Sequence, residues 1–300
     1  MAERIHFEDD IRRNKLKSFF LIVIIFVFFI LVGYLIALAL DPSYFFVITI
    51  FATIFSLVYI WVGYYYSDKI ALASVNARAA NRAEHSKFIN AAENMALASG
   101  LPVPKLYVMN SSEINAFASG RNPENAVICA TSGAIEKLDK QELEGVIAHE
   151  MSHIANYDIR FMTLTAVLVG MISIIAQMFL RNLWFAGNDD RDSKAGLLIM
   201  LAAVIAAILA PIAAQLVSLA ISRRREFGAD STAVKFTRYP PGLKKALEKI
   251  KREHVEIRET KKFPKAVAPL FISDPFKKKI SGLFSTHPPI DVRIEKLGRM

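Results

Sequence analysis

Residues 18–40 read SFFLIVIIFVFFILVGYLIALAL, without one charged side chain, and residues 42–67 follow as PSYFFVITIFATIFSLVYIWVGYYYS. A helix needs roughly 20 such residues to cross a ~30 Å hydrocarbon core, and each stretch is long enough. Only Asp41 separates them. The first is longer than the roughly 7–15-residue apolar region of a signal peptide and leads at once into a second span, so it reads as a retained anchor.

Residues 161–180 and 195–222 are also uncharged. Thr163, Thr165, Gln177, Pro211 and Gln215 dilute them, so a buried hairpin in a soluble domain is the competing reading. The expected fold is a mainly α-helical membrane protein with four transmembrane helices plus a small α+β domain. Its order is a segment 1–17, spans 18–40 and 42–67, a water-exposed part 68–160, spans 161–180 and 195–222, and a second water-exposed part 223–300.

The whole composition agrees: of 300 residues, 53% are hydrophobic and 22% charged, too apolar for an average water-soluble chain. Cys129 is the one cysteine, which excludes an intramolecular disulfide framework and an all-thiolate metal cluster. The net charge of +9 comes from the end of the chain, where residues 221–300 carry many more Lys and Arg than Asp and Glu. Arg12, Arg13, Lys15 and Lys17 precede the first span, and Arg223, Arg224 and Arg225 follow the fourth. The positive-inside rule therefore puts the N-terminus and both water-exposed parts in the cytoplasm, under a multi-pass inner or plasma membrane anchor.

No RNP-type motif or basic–aromatic interleaving accompanies the charge, so no nucleic acid is expected. Lys244, Lys245, Lys249 and Lys251 lie among Glu248, Glu253 and Glu256 and read as a solvated helix. A transporter or channel would place ionisable groups within its spans; these hold none except tyrosines.

In the first water-exposed part, Asn81 to Ser99 has the apolar spacing of a helix ending at Gly100. Leu106–Met109, Asn115–Ala118 and Ala126–Ala130 are strand candidates between turn residues. Asp139 then opens a second helix, with Glu142 three residues on as a capping box and Leu143, Val146, Ile147 and Ile154 as its apolar stripe. That helix carries His149-Glu150-Met151-Ser152-His153, an H-E-x-x-H pattern. Residues at i and i+4 share a helix face, so the two histidines can close on one metal ion with Glu150 beside it. The alternative is two surface histidines on an amphipathic helix.

A catalytic zinc takes three protein ligands and keeps one position open. Cys129, the other histidines and any Glu are open as the third. Glu226 in Arg224-Arg225-Glu226-Phe227-Gly228-Ala229-Asp230 is the best local candidate. Asp230, four residues later on the same helix face, is placed to accept the other ring N–H of a ligand histidine.

H-E-x-x-H after two spans, two further spans and then E-x-x-x-D closely resembles the HtpX-type membrane zinc endopeptidases, relatives of the CAAX prenyl proteases. The resemblance extends to Asn115-Ala116-Phe117-Ala118, to Asn156-Tyr157-Asp158, and to Ser285-Thr286-His287-Pro288-Pro289 followed by Arg293. It implies one Zn2+ per chain on His149, His153 and Glu226, Glu150 as catalytic base, and Asp230 and Arg293 as supports behind the ligands. It further implies that His287 contacts the tetrahedral intermediate and that Asn115, Ala116, Phe117 and Ala118 form the strand edge on which a peptide substrate pairs. Its expected substrates are proteins or peptides, membrane proteins foremost, in quality control of misfolded chains at the bilayer. A catalytically silent membrane scaffold or anionic-ligand binder is the second reading.

Overall fold

The protein is described here from a computed structural model covering residues 7–40, 42–166, 223–256, 270–272 and 288–300. Helix α1 (Phe7–Leu40) and helix α2 (Phe45–Tyr65) form a hairpin through a single turn at Pro42–Tyr44. They touch closely at Gly33, where a Cβ would come within 2.6 Å of the Ala52 Cβ, and Phe29 meets Phe55 edge-on at 5.1 Å. Leu21 and Ile25 are buried as well, but much of the remaining hairpin surface is bare. Mean hydropathy reaches 2.2 over Asn14–Leu31 and 2.4 over Phe45–Tyr65. Phe46 is 76% exposed and Phe51 69%. Water would penalise so continuous an apolar surface by about 25 cal/mol per Å2, whereas hydrocarbon would not.

Among the described residues these are the two helices long and apolar enough to span a bilayer. The expected spans 161–180 and 195–222 lie outside the described residues, except for 161–166, which are helical.

Beyond the hairpin come α3 (Ser67–Ser74), β1 (Arg78–Ala79), α4 (Arg82–Ser99), β2 (Lys105–Met109), β3 (Ala116–Gly120), β4 (Ala126–Thr131), α5 (Ser132–Lys137) and α6 (Lys140–Ala155). After residue 222 follow α7 (Arg223–Thr237), α8 (Pro240–Glu256) and α9 (Ile290–Leu297). The sheet order is β1-β2-β4-β3, with β2 and β4 parallel and the other pairs antiparallel.

β4 is buried on both faces. Ile128 and Ala130 face the core shared by Phe88, Leu143, Ile147 and Met151, whereas Val127 and Cys129 face Leu72, Phe117, Met162 and Phe271. This period-2 division is why an unbroken apolar run can be a strand.

Helix α4 begins one residue later than its apolar pattern, because Asn81 serves as its N-cap, accepting from Ala83 N–H. Gly100 ends it at φ 71°, a left-handed conformation that favours glycine. The capping box on α6 forms in full between Asp139 and Glu142. The third strand runs over Ala116–Gly120 rather than Asn115–Ala118. Asn115 stays outside it because its N–H goes to Thr131 Oγ1 and its side-chain oxygen accepts from Ala116 N–H. Helix α8 is more than solvated, for Leu243, Leu247 and Ile250 are buried in the core with α6.

Candidate metal centre

Helix α6 carries His149 and His153 on one face, their rings perpendicular with centroids 4.8 Å apart. Helix α7 packs beside it and brings Glu226 across: His149 Nε2 lies 3.7 Å from Glu226 Oε2, and His153 Nε2 lies 3.7 Å from Glu226 Oε1. All three residues are buried, and their ligating atoms lie within 4.8 Å of one another.

Each histidine is held from behind through its other nitrogen. His149 Nδ1 is 3.0 Å from Asp230 Oδ1, and His153 Nδ1 is 3.0 Å from Asp158 Oδ2. With the ring proton drawn to Nδ1, both Nε2 lone pairs turn inward.

The two rings respond differently. Burial, reinforced by the Arg293 charge, holds His149 below the ordinary histidine range despite Asp230. Burial would lower His153 too, but the Asp158 hydrogen bond and the charge of Glu226 outweigh it and lift the ring to about 9. The difference follows from the partners: Asp230 is neutralised by a guanidinium fork, with Arg293 Nε to Oδ2 at 2.9 Å and Nη2 to Oδ1 at 2.7 Å. Among the described residues, the Arg or Lys side chain paired with Asp158 is Arg225, whose Nη1 stands 3.9 Å away. A dication at Nε2 would displace the proton from His153.

Glu150, the next residue on α6, is buried beside the pair. Burial, reinforced by Glu226, pushes its carboxyl up to about 7, against the opposing effects of His153 and the Ala118 N–H that it accepts. Its Oε1 has no hydrogen-bond partner among the described residues.

The structure thus brings together His149, Glu150, His153, Glu226, Asp230 and Arg293. Ala118 reaches Glu150; Ala116 and Phe117 precede it along β3, and Asn115 stands just before the strand. The edge of that strand is less open than its sequence suggests. Ala116 O accepts from Ile272 N–H at 2.9 Å, and Phe117 bridges to Phe271, ring against ring at 5.3 Å. His287 lies outside the described residues. Asp158 belongs to the quoted Asn156-Tyr157-Asp158 run, but only its contact with His153 gives it a role. Asn14 carries no motif at all, yet it donates to Asp158 Oδ1 at 2.7 Å.

A model of peptidase family M48 matches residues 64–300. The chain belongs to this family.

As an M48 peptidase it is a membrane-associated metalloprotease, a hydrolase acting on proteins or peptides, and the silent-scaffold reading is not favoured. A protein described as "Protease HtpX homolog" from Caldanaerobacter subterraneus is 44% identical over 252 residues, 83% of each chain. Another so described, from Dictyoglomus thermophilum, is 40% identical over 98% of this chain and 95% of its own. A third, from Streptococcus uberis, is 38% identical over 97% and 99%. The last two alignments take in the apolar hairpin, so the likeness extends from the M48 domain into these two apolar helices.

Proposed function

We propose that this M48 peptidase is a zinc endopeptidase in which His149, His153 and Glu226 hold one Zn2+ and Glu150 is the general base. One observation carries the reading. Two imidazole Nε2 atoms and a carboxylate converge in a buried space, while aspartates engage both Nδ1 atoms. Three such groups facing one another need a positive charge among them, supplied by a proton on His153 or by a metal ion that takes its place. Ligand atoms around a tetrahedral zinc are roughly 3.3 Å apart, close to the 3.7 Å separations here. The N/O donor set suits zinc, and the residues present fit the ion.

When bound, zinc would supply Lewis acidity, activating a water and polarising the scissile carbonyl. Glu150 takes the proton that the attacking water gives up and passes it to the leaving amine. A carboxyl pushed up to about 7 is matched to both transfers near neutral pH. Asp230 and Asp158 keep the histidines in the Nδ1–H tautomer, and Arg293 keeps Asp230 in place. His287 is assigned to the developing charge of the substrate on family resemblance. Asn115 to Ala118 are assigned to the peptide backbone on family resemblance; pairing there requires Phe271 and Ile272 to leave the edge of β3.

The proposed topology has four spans, with 161–180 and 195–222 as the second pair. Residues 1–17, 68–160 and 223–300 then face the cytoplasm under a cell-membrane anchor, as the basic residues flanking the spans support. His153 comes eight residues before the proposed span 161–180 and Glu226 four residues after the proposed span 195–222, so the substrates are membrane proteins or their cytoplasmic segments, consistent with quality control of misfolded membrane proteins.

Cleavage of casein by the full chain in detergent tests the chemistry. It should stop with a zinc chelator, return with zinc, and be absent in Glu150→Gln. Cleavage by Glu150→Gln at the wild-type rate, or full activity in chelator, would overturn it.

A further inference from the structure

The two histidines of the metal centre are backed by carboxylates that are themselves fixed in different ways. Asp230 is gripped by the Arg293 fork from α9. Asp158 is gripped from the membrane helix. Asn14, in the second turn of α1, is only 4% exposed. Its side-chain amide spends one N–H on Asp158 Oδ1 at 2.7 Å and the other on Asn156 O at 3.0 Å. The remaining carboxylate oxygen, Oδ2, is the one at His153 Nδ1, 3.0 Å away.

We infer that Asn14 is a positioning residue for the metal ligand His153, so that the first membrane helix completes the metal centre. The inference rests on the zinc reading above.

The chemistry of the amide explains why asparagine, amid Arg12, Arg13, Lys15 and Lys17, occupies this position. A carboxylate that accepts at one oxygen only can swing about its last side-chain bond. A donor at the second oxygen fixes that rotation, and with it the plane of the imidazole. The amide is neutral, so unlike Arg293 it fixes the carboxylate without cancelling the charge that makes His153 a better electron-pair donor. Its second N–H anchors the turn that carries Asp158, in which Tyr157 takes a positive φ of 58°. Lys15, the next residue of α1, lies 4.4 Å over the Tyr157 ring and holds the same turn from outside. Asn14 stands four residues before the apolar run, about 6 Å along the helix axis. A shift of the anchor relative to the catalytic domain would therefore be felt at His153.

The test compares full-length wild type with Asn14→Leu, which keeps side-chain size and removes both donors. Zinc affinity is measured by chelator competition, the visible spectrum on the Co2+-substituted protein, the melting temperature on the apo-protein, and kcat and KM on a casein-derived peptide. Asn14→Leu should bind zinc about 10- to 100-fold more weakly, shift the Co2+ bands, and lower kcat with little change in KM. Equal zinc affinity with an unchanged Co2+ spectrum would overturn the inference.

Should Asn14→Leu fail to fold, Asn14→Ser carries the same measurements, because one short hydroxyl cannot reach both acceptors. The exchanged pair Asn14→Asp with Asp158→Asn separates positioning from helix docking. It restores an amide–carboxylate bond between α1 and the turn but takes the carboxylate away from His153. Melting temperature should recover only in part, since an aspartate at position 14 has no N–H for Asn156 O, and zinc affinity should not recover; recovery of wild-type zinc affinity would reduce Asn14 to a docking contact and overturn the inference. Wild type without zinc would overturn the underlying reading itself, whereas zinc held equally by wild type and Asn14→Leu would overturn this inference alone.

Discussion

Arg293 and Asp230 are joined by two buried hydrogen bonds, 2.9 and 2.7 Å long, and the same Asp230 lies 3.0 Å from the Nδ1 of His149. The last helix of the chain is thereby tied to a metal-centre histidine 144 positions earlier. Removing one partner of a buried ion pair leaves the other uncompensated, which costs about 3–5 kcal/mol. Arg293→Met should lower stability by that order and weaken zinc retention, whereas Arg293→Lys, with charge but no fork, should fall between. Thermal unfolding and chelator competition in detergent read both effects; an unchanged melting temperature for Arg293→Met would count against the clamp.

The same pair predicts a pH dependence. Burial alone would raise Asp230, but the Arg293 charge and the hydrogen bonds from His149 and Arg293 outweigh it and hold the carboxyl at about 2. Its folded value thus lies below the ordinary ~3.9. The contribution to stability is complete above about pH 4 and is lost as pH falls through about 2. Acid unfolding of wild type should show this loss, and Asp230→Asn should flatten the curve over that interval. Identical acid curves would contradict it.

Gly145 lies where α6 and α8 approach closely. A Cβ there would meet Leu243 N at 2.5 Å and Leu243 Cα at 2.8 Å, both backbone atoms that cannot swing aside. Gly145→Ala should force α8 away and destabilise the domain by about 1–3 kcal/mol, despite alanine's better helix propensity. A melting temperature equal to or above that of wild type would show that the two helices can part at no cost.

Cys129 is fully buried at the centre of the sheet, and burial pushes its thiol well above the ordinary range. A thiol kept protonated and away from solvent is a poor nucleophile. A maleimide reagent at pH 7.5 should leave the native protein unlabelled and add one label per chain after denaturation. Rapid labelling of the native protein would contradict the assignment of β4 to the interior.

Much of the site was legible because its determinants are local. The capping box at Asp139 and Glu142, the i and i+4 histidines, and the four-residue step from Glu226 to Asp230 all lie within single helices. The two spans of the hairpin followed from composition.

What could not be read depends on distant packing. Nothing near Asn14 announces Asp158, 144 residues away, and the basic residues around it draw attention to the membrane instead. Ile272 and Phe271 cover the edge of β3 from beyond α8, so Asn115 to Ala118 looked more open than they are. The charges of α8 masked Leu243, Leu247 and Ile250, whose spacing at i, i+4 and i+7 is that of a buried face.

The zinc content of the purified full chain, measured by mass spectrometry alongside Glu150→Gln and Glu226→Gln, tests the central claim most directly. The account predicts about one zinc per chain in wild type and in Glu150→Gln, and a large loss in Glu226→Gln. Wild type without zinc, or Glu226→Gln with as much as wild type, would contradict it.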